Sequence, residues 1–174
     1  CLAHGLDGAA PDSLGPNGDW YAEWKWDGIR GQVIVRAGEV FVWSRGEELM
    51  TDRFPELAPL ANALPEGMVI DGEVLAWNHA TETPFGFSKL QPRIGRKSVP
   101  KKLLAEAPVI LMAYDLLEDA GQDIRALPLA DRRARLRAHL APLHAALPIR
   151  LSQPVSAQSW DALTAARAGS REIG

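Results

Sequence analysis

Hydrophobic and polar residues alternate along three early stretches of this chain, the mark of strands with one face turned to a core. Trp20 to Trp26, Ile29 to Arg36 and Glu39 to Ser44 carry that pattern, and Ala37-Gly38 suits a hairpin turn between the last two. Met68 to Trp77 and Val109 to Leu117 are more continuously apolar, which predicts buried strands, and Ile149 to Gln153 reads as a short one. Phe54 to Leu64 predicts a short helix, with Thr51 or Asp52 as cap and Pro55 in its first turn. Leu129 to Leu147 is helical by composition, with a kink at Pro142 and with Arg132, Arg133, Arg135 and Arg137 on exposed faces. A last helix runs to Ala168, capped by Ser156 and ended by Gly169. Residues 1–19, with Pro11, Gly15, Pro16 and Gly18, read as an irregular lead-in; 78–107 is mixed and 119–122 a turn. The order of elements predicts an α+β fold, mainly antiparallel sheets with flanking helices, and excludes a doubly wound parallel sheet.

Composition narrows the class. The 174 residues are 47% hydrophobic and 24% charged, which suits one globular domain. Six Trp and many aliphatic residues exclude disorder over the whole chain. A single Cys, at position 1, excludes a disulfide framework and a Cys-rich zinc site. The longest apolar run, Pro108 to Ala113, is too short to span a bilayer, and no signal peptide is visible, so no membrane and a cytoplasmic setting are expected. The start at Cys1 and the stop at Gly174 in mid-pattern suggest a fragment.

Net charge is -3, but it is unevenly spread. Lys89, Arg93, Arg96, Lys97, Lys101 and Lys102 lie in a stretch with no acid between Glu82 and Glu106. The rest of the chain has 13 basic residues (19 less these six) against 22 acidic ones. Such asymmetry marks either a phosphate-contacting surface or a solvated basic loop, and charge alone favours the loop.

Four motifs bear chemistry. Glu23, Lys25 and Asp27 alternate with Trp24 and Trp26, so period two places the charges on one face; Gly28 then lets the backbone turn or lie close to a ligand, and Arg30 adds a cation. Asp71 and Glu73 share a face within an apolar strand, where carboxylates are costly unless paired, and the Lys and Arg of the first strand are natural partners. Tyr114, beside Asp115 in an apolar run, can offer a ring for base stacking or be core with its hydroxyl satisfied. Arg45, next to Gly46 at a strand end, suits bidentate phosphate recognition or an exposed hairpin end. Each alone reads as ordinary structure; their order and spacing together do not.

Lys25-Trp26-Asp27-Gly28-Ile29-Arg30 resembles the Lys-x-Asp-Gly-x-Arg signature of covalent nucleotidyltransferases, the DNA ligases, RNA ligases and capping enzymes. Ser44-Arg45-Gly46-Glu47 with Thr51 and Phe54-Pro55-Glu56-Leu57, then Asp71-Gly72-Glu73, Leu90-Gln91-x-Arg93 with Gly95-Arg96, and Tyr114-Asp115-Leu116-Leu117 follow in the order found in bacterial ATP-dependent DNA ligases. The resemblance runs from about Trp20 to the C-terminus. It implies an ATP-grasp-like nucleotidyltransferase fold, with residues 1–174 an adenylylation domain fragment lacking the C-terminal OB-fold domain.

By the same resemblance, Lys25 attacks the α-phosphate of ATP to form lysyl-AMP, Glu23 contacts adenine, Tyr114 stacks on it, and Arg30 and Arg45 contact ribose and phosphates. Asp27 belongs to the nucleotide pocket, and Glu73 contacts ribose or supports Mg2+. AMP then passes to the 5′-phosphate of nicked double-stranded DNA and the 3′-hydroxyl seals the nick. Lys89, Arg93, Arg96, Lys97, Lys101 and Lys102 become DNA-backbone contacts. The attacking amine must be neutral, and nearby cations and partial burial favour that while carboxylates oppose it. The family continues with a Lys-x-Lys strand beyond the point where this chain ends, at Arg171-Glu172-Ile173-Gly174, so sealing by the chain alone is not expected. The resemblance further implies a monomer acting in the bacterial cytoplasm at the nucleoid. An RNA ligase, a GTP-using capping enzyme and a non-catalytic nucleotide- or DNA-binding module are the alternatives.

Overall fold

The computed structural model describes residues 11–96 and 98–170, so the expectations for Lys97 and for the chain end at 171–174 lie outside the described residues. The described chain divides into two compact units: residues 26–152, and a smaller unit that joins residues 11–25 with 153–170.

The larger unit is built on a sheet of order β2 (Glu39–Ser44), β1 (Ile29–Arg36), β3 (Val69–Asn78), β5 (Val109–Asp119), β6 (Gln122–Asp123). Strands β1 (Ile29–Arg36) and β2 (Glu39–Ser44) form the expected hairpin. Ala37 and Gly38 both take positive φ, 53° and 73°, as a tight two-residue turn demands. The Glu66 carboxylate accepts from both turn amides, at 2.8 and 3.4 Å. Strand β3 (Val69–Asn78) pairs antiparallel with β1 and, on its other side, with β5 (Val109–Asp119). The short β4 (Thr83–Pro84) pairs with β3, and β6 (Gln122–Asp123) with β5. Strand β7 (Ile149–Leu151) joins β5 in parallel. The α+β reading with mainly antiparallel pairing therefore holds.

Strands β3 and β5 are apolar at consecutive positions because both faces are covered. Ile70, Val74, Ala76, Leu111 and Ala113 face the main core, with Val33 and Val35 of β1 and with Phe54, Leu57, Leu60 and Leu136. Leu75, Trp77, Ile110 and Met112 face the other way and pack with Trp26. Between Asp71 and Gly72 the pairing of β3 with β5 slips, so that Asp71 opposes Asp115 while Gly72 opposes Ala113. Tyr114 is the extra residue of that bulge, and a bulge of this kind re-aims a side chain.

Several local expectations change. Residues 54–64 do not form one helix: 3-10 turns at Thr51–Arg53 and Pro55–Leu57 precede α1 (Leu60–Ala63). Pro55 and Pro59 lack the amide hydrogens a longer helix needs, and Thr51 Oγ1 accepts from the Val42 amide of β2 at 3.0 Å instead of capping. The mixed region holds α2 (Gln91–Ile94) and α3 (Lys101–Glu106). Helix α4 (Leu129–Leu140) stops two residues before Pro142, so the proline ends the helix and does not kink it. Arg133 of α4 is buried with Leu136, contrary to its expected surface position.

In the smaller unit, 3-10 turns at Pro11–Leu14 and Asn17–Asp19 precede a segment in which Glu23 alone bridges to Pro154. A strand over Trp20 to Trp26 does not form, since proline has no amide hydrogen with which to continue a ladder. The alternation survives without it: Glu23 and Lys25 are exposed, as is Asp27 of the larger unit, while Trp24 and Trp26 are half-buried. Helix α5 (Trp160–Ala168) is capped by Ser159, whose Oγ accepts from the Ala162 amide at 3.2 Å, and not by Ser156; Gly169 ends it as expected.

Gly28 has the strictest packing requirement beside the motif. A Cβ there would lie 2.4 Å from the Val74 carbonyl oxygen and 2.8 Å from Leu75 Cδ2, so close approach of β3 explains this glycine within the structure. Gly28→Ala is expected to destabilise the fold by about 3 kcal/mol, the upper part of the ordinary range. Gly18→Ala, where nothing lies within 4 Å, is the control in thermal unfolding. Equal melting temperatures for the two variants would refute the packing role of Gly28.

Candidate functional site

One face of β1, β3 and β5 gathers polar groups beyond the apolar end formed by Leu75, Trp77, Ile110 and Met112. Arg30 of β1 stands opposite Glu73 of β3 in the register, and Gln32 opposite Asp71. Asp71 is 3% exposed and Glu73 is half-buried. The Arg30 guanidinium spans to Asp71 in a two-point clamp, Nε to Oδ1 at 3.2 Å and Nη2 to Oδ2 at 2.6 Å. Tyr114 Oη donates to the same Oδ1 at 3.5 Å. The arginine expected as a partner for this strand's acids is therefore Arg30, and its partner is Asp71.

The electrostatics follow from that clamp. The hydrogen bond to Asp71 holds the Arg30 pKa well above its ordinary value against the opposing effect of burial, with further help from the charges of Asp71 and Glu73. Burial, reinforced by the negative charge of Asp71, pushes the Tyr114 phenol well above the usual tyrosine range. The result is a neutral ring beside a fixed cation, with one edge tied to a carboxylate. Such a surface suits a flat, hydrogen-bonding ligand carrying negative charge.

Arg45 is brought next to Arg30 through the main chain, where its amide donates to the Arg30 carbonyl at 3.3 Å, and it is exposed. The tight turn behind it is held by Ser44, whose Oγ accepts from the Glu48 amide at 3.2 Å; the positive φ, 59°, falls on Glu47 and not on Gly46. Glu23 and Lys25 belong to the smaller unit, and both are exposed. Asp27 is exposed at the start of the larger unit.

The basic stretch separates into two kinds of residue. Lys89, Arg96, Lys101 and Lys102 are exposed. Lys89 lies 5.9 Å from the centre of the Phe85 ring, and Lys102 is 3.8 Å from Glu106 one helical turn on. Arg93 is 0% exposed and is removed from the set of DNA contacts. It grips Glu56 through two bonds of 2.6 and 2.7 Å, donates to the carbonyls of Ala107 and Arg53, and sits over Phe54. A guanidinium so enclosed cannot reach a phosphate; it ties the 51–57 turns to the basic segment.

Two further inward arginines escaped the sequence pattern. Arg132 clamps Asp115 with bonds of 2.9 and 2.8 Å, and Arg133, 4% exposed, donates to the main-chain carbonyls of Tyr114 and Ser152. Arginine in a helix reads as a solvated face, and their partners lie 17 to 19 residues away, so no local signal marks them. Among the described residues no three His, Cys, Asp or Glu side chains form a metal cage. None of the described helices is long and apolar enough to cross a membrane.

A family model described as an ATP dependent DNA ligase domain matches residues 3–166. A probable DNA ligase of Koribacter versatilis is 40% identical over 112 residues, covering 64% of this chain and 19% of that protein. A DNA ligase of Haloferax volcanii is 41% identical over 135 residues, covering 76% of this chain and 23% of that one. The chain thus spans roughly a fifth of these relatives. A solved structure described as mycobacterial DNA ligase D complexed with ATP and MES superposes with a TM-score of 0.63 at 28% identity, over 84% of this chain and 44% of that one. Chlorella virus DNA ligase-adenylate, at 17% identity and a TM-score of 0.58, shares the fold.

The raised Tyr114 pKa has a consequence for stability. The unfolded phenol ionises near pH 10 while the native one keeps its proton, so the native state binds more protons above that pH and stability falls as pH rises through it. In Tyr114→Phe this part of the alkaline loss is expected to vanish. Urea unfolding at a series of alkaline pH values measures it, and an unchanged slope in the variant would contradict the burial of the phenol.

Proposed function

The chain belongs to the ATP-dependent DNA ligase domain family, and from that premise we propose that it is the adenylylation domain of such an enzyme, acting on nicked double-stranded DNA. The Lys25 amine, neutral when it reacts, attacks the α-phosphorus of ATP; a P–N bond forms, the bond to the β-phosphate oxygen breaks, and pyrophosphate leaves. A 5′-phosphate oxygen at the nick then attacks the AMP phosphorus and Lys25 departs. Finally the 3′-hydroxyl oxygen, losing its proton, attacks the DNA 5′-phosphorus; the phosphodiester forms and AMP leaves.

The observation that carries the reading is the clustering of Arg30, Asp71, Glu73 and Tyr114 on one sheet face, with Arg30 following Lys25 closely in the chain. Tyr114 is the aromatic platform for adenine, with Glu23 as a further base contact. Asp71 fixes the Arg30 guanidinium in a set direction, so its charge meets ribose and phosphate with little further ordering. Arg45, exposed and joined to Arg30 through the main chain, extends that cationic edge. Asp27 lines the same pocket.

Mg2+ fits a site with a single half-buried carboxylate, because this ion commonly takes one or two protein carboxylates and completes its shell with phosphate oxygens and water. Glu73 is the group that would hold it, and the ion supplies charge neutralisation on the phosphates. Lys89, Arg96, Lys101 and Lys102 form the surface for the duplex backbone, which a ligase grips without reading sequence. The enzyme acts as a monomer in the cytoplasm, at the nucleoid.

Because the chain spans a fifth of its relatives, the test uses the full-length gene product, incubated with Mg2+ and ATP or GTP and weighed intact. One AMP adduct is expected with ATP, none with GTP, and none in Lys25→Ala. A GMP adduct would point to capping chemistry, sealing of RNA ends alone to an RNA ligase, and an adduct that survives Lys25→Ala would refute the assigned nucleophile. For the DNA surface, replacing Lys101 and Lys102 with Ala should flatten the plot of log affinity against log salt by about 2 for a nicked duplex, one unit per lost phosphate contact. An unaltered slope in fluorescence anisotropy would exclude both lysines.

A further inference from the structure

Arg133 lies on α4, in none of the motifs that recognise nucleotide, yet it reaches both the strand that carries Tyr114 and Ser152, just past β7. Its Nη1 donates to the Tyr114 carbonyl at 2.5 Å and its Nη2 to the Ser152 carbonyl at 2.5 Å. Ser152 is 1% exposed, and its Oγ accepts from Trp26 Nε1 at 3.0 Å. Its amide donates to Ala113, the residue before Tyr114, at 2.8 Å. Trp26 is covalently joined to Lys25. A continuous set of hydrogen bonds therefore runs from the main chain at Tyr114, through Arg133 and Ser152, to the indole next to the nucleophile.

The placement is specific in two respects. Tyr114 is the extra residue of a bulge, and displacement from the regular ladder leaves its direction to be set by something other than strand pairing. Arg132, the preceding residue of α4, clamps the Asp115 side chain through two bonds. Consecutive arginines thus hold consecutive residues of the bulge, one by its carbonyl and one by its carboxylate. Simple docking of α4 needs neither, because Leu136, 0% exposed one turn further on, already seats the helix in the core.

We infer that Arg133 is a positioning residue for lysine charging, setting the bulged Tyr114 for the base and, through Ser152, holding the Trp26 indole that follows the lysine in the chain. The inference rests on the adenylylation reading above. Breaking it should spoil the placement of adenine on Tyr114, and placement errors of this scale are costly in rate.

The test compares Arg133→Gln, Arg133→Lys and Ser152→Ala with Leu136→Ala, which loosens α4 without touching the hydrogen bonds. In the nucleotide-free protein, Arg133→Gln should shift both the Tyr114–Asp115 amide resonances and the Trp26 indole resonance. Ser152→Ala should shift the Trp26 indole most. In AMP charging, Arg133→Gln should raise KM for ATP or lower the charging rate on the order of tenfold, with partial rescue by Lys. Leu136→Ala, at a matched loss of melting temperature, should leave both near the parent values. Equal kinetic effects from Arg133→Gln and Leu136→Ala, or resonances that stay in place, would overturn the inference. If Arg133→Gln fails to fold, Arg133→Lys and Ser152→Ala carry the same comparison. Charging that survives Lys25→Ala would instead refute the adenylylation reading, and the resonances would still decide whether Arg133 links Tyr114 to Trp26.

Discussion

A carboxylate buried in the middle strand of a sheet is expensive unless opposite charge and hydrogen bonds meet it there. Asp71 is such a group, and the polar face is organised by the need to satisfy it. Arg30 answers with two bonds, Tyr114 adds a third, and the three side chains come from three adjacent strands. Removing the carboxylate would release the arginine and the phenol together. The group that is costly to bury is thus the one that gives its neighbours fixed directions, which a site built to receive a charged ligand requires.

The sheet provides the setting because its middle strands serve two surfaces. One side of β3 and β5 closes the main core, and the other is apolar near Trp77 and polar near Asp71. Gly28 lets the chain after the lysine lie directly on β3, where any side chain would meet the Val74 carbonyl. On the far side, the bulge at Tyr114 breaks the strict alternation of β5. These two local departures from regular strand geometry both occur where the polar groups converge, which is where a working site is expected to depart from ideal structure.

Arginine shows how far the chain could be read in advance. Arg30 was legible, because it followed a lysine motif and an acidic pair waited on another apolar strand. Arg93, Arg132 and Arg133 were not. All three looked like solvent-facing charge, and all three turn inward to partners distant in sequence: Glu56, Asp115, and the carbonyls of Tyr114 and Ser152. A guanidinium carries five donors in a rigid fork, so it can be buried wherever carbonyls and carboxylates converge on it, and that convergence is a property of the fold. The same reasoning removes Arg93 from the proposed DNA-contacting set, while Lys89, Arg96, Lys101 and Lys102 are exposed.

The sequence by itself determined the long strands of the larger unit, their alternation, the hairpin turn, and the ordered motifs that identify the family. These depend on the period of neighbouring residues and on glycine and proline, all of which are local. Where helices began and ended was less secure, since Thr51 and Ser156 looked like caps while the structure uses Thr51 to bond β2 and Ser159 to cap α5. Only the tertiary structure decided that Asp71 is the partner of Arg30, that Tyr114 sits on a bulge, and that Arg133 ties the bulge to Ser152 and Trp26. Those outcomes depend on register and on bonds spanning 19 to 126 residues, and no local pattern encodes which distant group a buried charge will find.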